Sequence, residues 1–593
     1  MITPFLRTRT RPSRYERRPF VATGDAAECA LGWDAIAARI ALAGGRVVVV
    51  ETYQGVHDDD VRRLARALGA ALHVRSEEAL LPPAAIDAML ASDLTDDPVF
   101  GRLTCRALDE LFDAGALAAL RRRVEGAAGR IVVSGPGASL VARGDVVVYA
   151  DLARWEIQQR QRHGGLANLG ADNGGVRASE KYKRSYFVDW RLLDRHKVAL
   201  FDRIDFFLDT TGRERPKLIA ADAVWRGLRR AATRPFRVVP FFDPAPWGGQ
   251  WMRSVCALPD GPPNYGWCFD CVPEENALLL GFGSERVELP ALDLVLRHPD
   301  ELLGARVRER FGAEFPIRFD FLDTVRGGNL SFQVHPVTAY MRAQFGVPYT
   351  QDESYYILDA DQQASVYLGL VTGTQPEQLM GALHRAQDEG IPFPADTCVN
   401  RWPARRHDHF LIPAGTPHGA GAGCLVLEIS ATPYVFTFKL WDWGRLGLDG
   451  RPRPIHLEHG ARNIRYERDT DFVRRELVNR ITPLGHGDGW RAERTGLHAA
   501  EFIETHRHWF TRAVPHDTHD GVNVLNLVQG EQAVVESPDR AFDPVVVHYA
   551  ETFVVPAAVG PYRIRPSGPE GGAEHATIKA FVRGPGQRPS PEV

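Results

Sequence analysis

Four residues in the second half of the chain have the types and spacing to converge on a divalent metal. Gln333 and His335 stand two apart in Asn329-Leu-Ser-Phe-Gln-Val-His-Pro336, so on a strand both side chains point to one face. Glu353 opens the run Ser354-Tyr-Tyr-Ile-Leu358, and His418 follows the Pro/Gly turn Ile412-Pro-Ala-Gly-Thr-Pro417. One amide oxygen, one carboxylate and two imidazoles form a mixed N/O donor set suited to zinc or another divalent transition metal. Spacing alone leaves an ordinary surface or core polar pair as the alternative. Two other groups carry less. Cys268-Phe-Asp-Cys271 is a single C-x-x-C with no second pair nearby, and reads first as two strand cysteines. His506-Arg-His508, with Glu504 on the same strand face, is either a metal pair or a solvated polar face. The pairs Trp247/Trp251 and Trp441/Trp443 are core and rim aromatics, or stack on a sugar.

Such residues need rigid elements to hold them. After Pro235 the strands are short and alternating, with recurrent Gly and Pro: Leu278–Gly281, Phe319–Leu322, Ser365–Leu370, Leu425–Ile429 and Val522–Val528. This texture predicts antiparallel β structure in a barrel or jelly roll. Helical stretches over Pro376–Glu389 and Leu292–Phe311 interrupt it, with Pro376 in a first helical turn, where its missing N–H costs nothing. Residues 30–235 read differently. Continuous β-rich runs at Arg46–Val50, Arg130–Val133, Val146–Tyr149, Tyr186–Val188 and Ile204–Leu208 alternate with amphipathic segments such as Ala150–Arg162 and Arg191–Phe201. That pattern predicts a parallel sheet covered on both faces.

The loop after the first of these strands is Glu51-Thr-Tyr-Gln-Gly-Val-His57. A phosphate loop would read GxxxxGK[ST], and both the lysine and the hydroxyl are absent. Ser134-Gly-Pro-Gly137 is a short, Pro-broken second candidate. The order of elements resembles nucleoside and uridine kinase-like P-loop proteins. On that resemblance Asp151 and the run Lys181–Arg184 are relics of substrate contacts, and the missing lysine predicts a degenerate domain used for packing or regulation.

The second half resembles the class I, zinc-dependent mannose-6-phosphate isomerases of the cupin superfamily. The motifs that carry the resemblance are Leu330–Pro336, Glu353–Asp359, Pro413–His418, Leu427-Glu-Ile429, Leu440–Gly450 and the opening turn Pro246–Gly249, from about Arg237 onward. Val522–Gly530 with Glu551–Ala557 resembles the family's metal-free second barrel. The resemblance implies that Gln333, His335, Glu353 and His418 hold one zinc ion per chain. It implies that Glu428 shuttles a proton between C1 and C2 of an open sugar, through a cis-enediol. It places Lys439 and Arg445 with Glu428 among the catalytic-site positions and Gln351 with Ser331 among the substrate-binding ones; Arg445 and Ser331 match positions near the substrate phosphate or its support, where Arg445 could equally be a structural ion pair. Two departures stand out: Gln351 replaces the family's lysine, and Lys439 replaces its catalytic-site arginine. Only six of the 71 basic residues are lysines, so Lys439 runs against the chain's own bias. Arg and Lys differ as anion binders, which puts the identity of the sugar phosphate in question.

Composition sets the outer limits. The chain has 593 residues, 44% hydrophobic and 25% charged, with a net charge of −4. This is a globular, multidomain balance, with no bulk charge for nucleic acid and no apolar run for a membrane. Seven scattered cysteines imply a reducing, cytoplasmic setting. Arg7, Arg9, Arg11, Arg14, Arg17 and Arg18 form a basic arm, solvated or a transit peptide. The expectation is thus an arm over 1–29, an α/β P-loop kinase-like domain over 30–235, a metal-binding cupin with a helical insertion over 236–480, and a metal-free cupin over 481–593. The activity the resemblance implies is zinc-dependent interconversion of mannose 6-phosphate and fructose 6-phosphate, or of a related sugar phosphate, with no nucleic-acid or membrane partner and the oligomeric state left open. A metal-binding cupin that senses a sugar phosphate or nucleotide without turnover is the alternative, and a bifunctional enzyme with a working kinase is the third.

Overall fold

In the computed structural model, which describes residues 13–496, 498–568 and 572–584, the strand Val47–Thr52 is buried at every position. A strand covered on both faces needs apolar, β-branched residues throughout, and the four consecutive valines supply them. It lies inside a seven-stranded sheet, at the middle of its five parallel strands. Ile131–Gly135 and Val146–Asp151 flank it in parallel, and Leu72–Arg75 and Phe206–Asp209 extend the sheet in parallel on either side. Lys217–Ala220 and Ala30–Leu31 add antiparallel strands at one edge. In chain order the parallel strands run 2-3-1-4-5 across the sheet.

This α/β unit comprises residues 20–231 and 273–298. Phe20–Gly24 pairs in parallel with Ala277–Phe282, which forms a hairpin with Glu285–Pro290. Leu278–Gly281 therefore belongs to this unit, although its alternating texture reads as part of the antiparallel half. The basic segment is likewise not a free arm: residues 20–24 form a strand, and Tyr15 is buried, its hydroxyl donating to Asp270 at 2.5 Å. Arg7, Arg9 and Arg11 lie outside the described residues. Tyr186–Val188, which reads as a strand, lies in a π-helical turn, Ser185–Asp189, between the helices Ala178–Arg184 and Trp190–Leu200. All five residues of that turn are buried, and a short apolar run does not separate a strand from a buried helix.

The other unit comprises residues 1–19, 232–272 and 299–593. It contains two antiparallel double-sheet barrels. The first joins a six-stranded sheet, which includes Ile317–Asp323, Glu353–Ala360 and Cys424–Ala431, to a five-stranded one, which includes Phe332–Val334, His418–Ala420 and Phe438–Trp441. Tyr355 and Ile357 from one sheet pack against Val366 and Leu368 from the other. The second barrel joins a six-stranded sheet around Ile503–Phe510, Asn523–Gln529 and His575–Val582 to a four-stranded one. Leu525, Phe553, Val535 and Ile564 fill its core. The helix Pro376–Asp388 begins at its proline. The stretch 292–311 breaks into Leu292–Arg297, Pro299–Leu303 and Ala305–Phe311, divided at Pro299 and at Gly304, whose φ is +81°. Among the described residues no helix is long and apolar enough to cross a membrane.

Candidate metal centre

Gln333 sits between two direct cross-strand partners, His418 on one side and Lys439 on the other. The turn that delivers His418 depends on Gly415. Its φ is +87°, its N–H donates to the His335 carbonyl at 2.9 Å, and a Cβ there would lie 2.6 Å from the Arg465 side chain. Glu353 opens its strand in the other sheet and faces the same lumen.

The donors converge there. His418 Nε2 is 2.8 Å from Glu353 Oε1, His335 Nε2 is 3.0 Å from Glu353 Oε2, and the Gln333 amide is 3.3 Å from His418 Nε2. All four residues are buried. The far ring nitrogens are anchored, His418 Nδ1 at 2.8 Å from the Thr416 carbonyl and His335 Nδ1 at 3.3 Å from that of Phe436. These contacts aim both Nε2 atoms inward, as outer partners of metal-binding histidines do. Yet among the described residues Glu353 Oε1 and His335 Nε2 make no hydrogen bond. One donor atom from each of His335, Glu353 and His418 lies within 4.8 Å of the others, and buried polar atoms left without partners are costly unless something else binds them. A divalent ion such as zinc fits this donor set.

A second carboxylate stands beside the first. Glu428 is the cross-strand partner of Tyr355 and of Asp320, which puts it on the lumen face with Glu353. Gln351 Nε2 donates to both acids, at 3.1 Å to Glu353 and 3.3 Å to Glu428, and Ser430 Oγ donates to Glu428 at 2.9 Å. Burial, reinforced by the charges of Glu353 and Asp320, pushes the Glu428 carboxyl well up, against the opposing pull of Arg318 at 3.6 Å. Burial would raise Glu353 too, but His335 and His418 outweigh it and hold that carboxyl below the usual range. Lys439 is lowered to about 8 by burial, with Arg453 adding to the effect and Asp442 opposing it.

Ser331 and Arg445 meet at Asp442 and not at the donor cluster. Ser331 Oγ donates to Asp442 at 2.9 Å, and Arg445 and Arg453 approach its two oxygens at 2.7 and 2.8 Å. Two guanidiniums sharing one carboxylate leave a positive surplus, suited to an anion. Arg453, Arg318 and Ser430 were not identified from the sequence. The visible signal for Arg318 was the charged pair Arg318/Asp320 on one face of a strand whose other residues up to Leu322 are apolar.

The other sequence candidates have internal partners. In the α/β unit a cavity of about 490 Å³ opens at the carboxyl ends of the parallel strands, lined by Thr52, Gln54, His57, Asp59, Arg75 and Asn168 among others. The helix that follows the first loop begins with Asp58, Asp59 and Asp60. The Gly137 and Ser139 N–H groups donate to the Glu51 carboxylate at 3.0 and 2.6 Å, so the protein's own anion takes the amides where the Ser134–Gly137 loop enters the helix Ala138–Val141. Asp151 pairs with Lys197 at 2.7 Å, the Lys181 ammonium donates to the Gln161 and Gly174 carbonyls, and Arg184 pairs with Asp87. Cys268 and Cys271 are buried free thiols. Trp247 and Trp251 are core residues, and Trp441 and Trp443 pack at 4.4 Å.

The model of one family, described as "Domain of unknown function (DUF8485)", matches residues 32–233. The mannose-6-phosphate isomerase ManA of Bacillus subtilis is 26% identical over 232 residues, 38% of this chain and 66% of that protein. The mannose-6-phosphate isomerase of Streptococcus mutans is 30% identical over 216 residues, 36% of this chain and 62% of that protein. The matched stretch therefore spans less than two thirds of either relative. Among solved structures, the mannose 6-phosphate isomerase from Bacillus subtilis is aligned over 59% of this chain and 100% of its own, at 17% identity and a TM-score of 0.48. A zinc-bound mannose 6-phosphate isomerase is aligned over the same shares at 15% identity and a TM-score of 0.45. Over about 38% of its length the chain is similar to mannose-6-phosphate isomerases.

Proposed function

We propose that the first barrel interconverts mannose 6-phosphate and fructose 6-phosphate, or a closely related aldose and ketose phosphate pair, with one zinc ion held by Gln333, His335, Glu353 and His418. The observation that carries this reading is the convergence of buried, unpartnered donor atoms beside a second carboxylate of opposite protonation tendency. A bound zinc ion supplies Lewis-acid polarisation of the sugar carbonyl and a template for its oxygens.

The remaining work falls to the chain. Glu428 carries the proton between C1 and C2 of the open sugar. Its raised affinity for a proton suits a group that must both take one and return it. Gln351 holds Glu428 in place through its hydrogen bond at 3.3 Å. Lys439, beside Gln333, supplies a positive charge close to the donors. Arg445 and Arg453, braced by Asp442 and Ser331, attract the phosphate. The burial of Glu353 and Glu428 keeps bulk water from the reacting carbons.

A coupled assay for fructose 6-phosphate, on zinc-loaded, chelator-stripped and His418→Ala protein, tests the proposal. Turnover that needs zinc and His418 is expected. Stoichiometric zinc without turnover on this or related sugar phosphates would favour the sensing role. The observation on that side is Gln351, a neutral amide tying together the two carboxylates where a lysine would bring charge. For the α/β unit we read a degenerate kinase-like domain. The strand order supports the likeness, and the aspartates at the first helix stand against a phosphate there.

A further inference from the structure

The six lysines of this arginine-rich chain all lie at positions that are not exposed. Four have evident partners for the ammonium. Lys181 and Lys183 donate to backbone carbonyls, Lys197 pairs with Asp151 and Asp293, and Lys217 pairs with Asp209. The other two, Lys439 and Lys579, have no hydrogen bond or ion pair at Nζ among the described residues. One belongs to each barrel.

Lys579 stands directly across from His506 on one neighbouring strand and from Leu525 on the other. Leu525 belongs to the core of the second barrel, so Lys579 and His506 face its lumen, and so does His508, two residues along the strand. His516 enters from the opposing sheet. Its ring lies 4.4 Å from that of His508 and stacks on Tyr562 at 4.9 Å. Both ring nitrogens of His516, Nδ1 of His508 and Oγ1 of Thr577 are buried and have no hydrogen-bonding partner among the described residues. The lumen is therefore apolar around Leu525 and Phe553, and polar and unsatisfied around Lys579.

The nearby acids are otherwise engaged. Glu504 also faces the lumen, but His506 holds it at 2.6 Å and Arg494 lies at 3.5 Å. Asp517 lies 3.4 Å from His519. Among the described residues, the only cluster of three convergent His, Cys, Asp or Glu donors is the one in the first barrel, so Glu504 does not converge here with two histidines as Glu353 does there. Asp517 and Glu504 act on the Lys579 ammonium only from a distance, and its nearest described contact is the Phe581 ring at 5.2 Å; a cation without a direct ion pair, beside unsatisfied ring nitrogens, is an arrangement that an anion would relieve.

We propose that the C-terminal barrel binds a small oxyanion, free or as the phosphoryl end of a metabolite, between Lys579, His508 and His516. Burial lowers the Lys579 ammonium to about 8, and a bound anion would favour its charged form. The site is separate from the candidate metal centre, and the proposal does not depend on isomerase activity.

The test is calorimetric titration and thermal unfolding of the chelator-stripped full chain, with inorganic phosphate and, separately, mannose 6-phosphate. Phosphate is expected to bind and to raise the Tm. In Lys579→Met and in His516→Phe, affinity at this site should fall at least about tenfold, the worth of one charge-assisted hydrogen bond. Zinc content and isomerisation at the first barrel should be unchanged in both. Lys579→Met should also raise the Tm in phosphate-free buffer, because it removes an unpaired buried charge. His516→Phe preserves the ring stack, and carries the test if Lys579→Met fails to fold. A site saturated by inorganic phosphate assigns the free ion, and one saturated only by mannose 6-phosphate assigns a phosphorylated metabolite. Absence of any phosphate or sugar-phosphate binding that these variants weaken would overturn the proposal. So would a second equivalent of zinc that disappears in His516→Phe.

Discussion

Glu353 and Glu428 project from adjacent antiparallel strands onto one lumen face, and their carboxyls are driven in opposite directions. Two imidazoles keep Glu353 ionised, while burial and the charge of Glu353 itself favour a proton on Glu428. Environments that push two acids apart divide the labour between them. Here one is suited to ligate and the other to carry a proton.

Glu428→Gln preserves shape and removes only the ionisable group. The expected result is a fall in kcat of about 10²–10⁴-fold, the usual contribution of a positioned acid–base group, with metal content unchanged. Metal analysis beside the isomerase assay checks it. Loss of zinc together with activity would make Glu428 a ligand.

Glu353→Gln and His418→Ala remove converging donors and should abolish metal binding. Zinc at 1,000 times its Kd would stabilise the folded protein by about 4 kcal/mol. Chelation should therefore lower the Tm of the parent protein and leave that of both variants unmoved, as read by calorimetry.

Lys439 gives the expected pH dependence. Burial favours its neutral amine and brings it to about 8, so the ammonium is present below that pH and lost above it. Attraction for a substrate anion follows the charge. KM should rise as pH climbs through about 8, with less change in kcat. Lys439→Arg keeps the charge and should move the rise to higher pH. An identical profile in that variant would assign the titration to another group.

In the α/β unit, Lys197 sits 2.7 Å from Asp151 and 2.8 Å from Asp293, with all three side chains buried. Lys197→Met would strand two carboxylates. Breaking a buried ion pair costs about 3–5 kcal/mol, and urea unfolding should show a loss of that size. Adding Asp151→Asn and Asp293→Asn should restore most of it. A loss below about 1 kcal/mol, typical of a surface pair, would contradict the burial argument.

Period-two spacing by itself determined that Gln333 and His335 share a face, and the Pro-Ala-Gly-Thr-Pro run determined a turn before His418. The valine run at 47–50 likewise specified a fully buried strand. These are short-range properties, set by backbone geometry and burial within a few residues. Only the tertiary structure decided that Gln333 and His418, 85 residues apart, are register partners, or that Asp320 lies across from Glu428 with Arg318 3.6 Å away from it. The sequence showed that the first loop lacks a lysine. It did not show that Glu51 fills the amides of the other loop, because that contact joins strands far apart in the chain. Tyr186–Val188 failed as a strand for the same reason: three apolar residues satisfy either element, and the surrounding helices chose. The two unpartnered lysines were visible as letters, but their meaning lay in burial and in missing partners, which exist only once the sheets have closed around them.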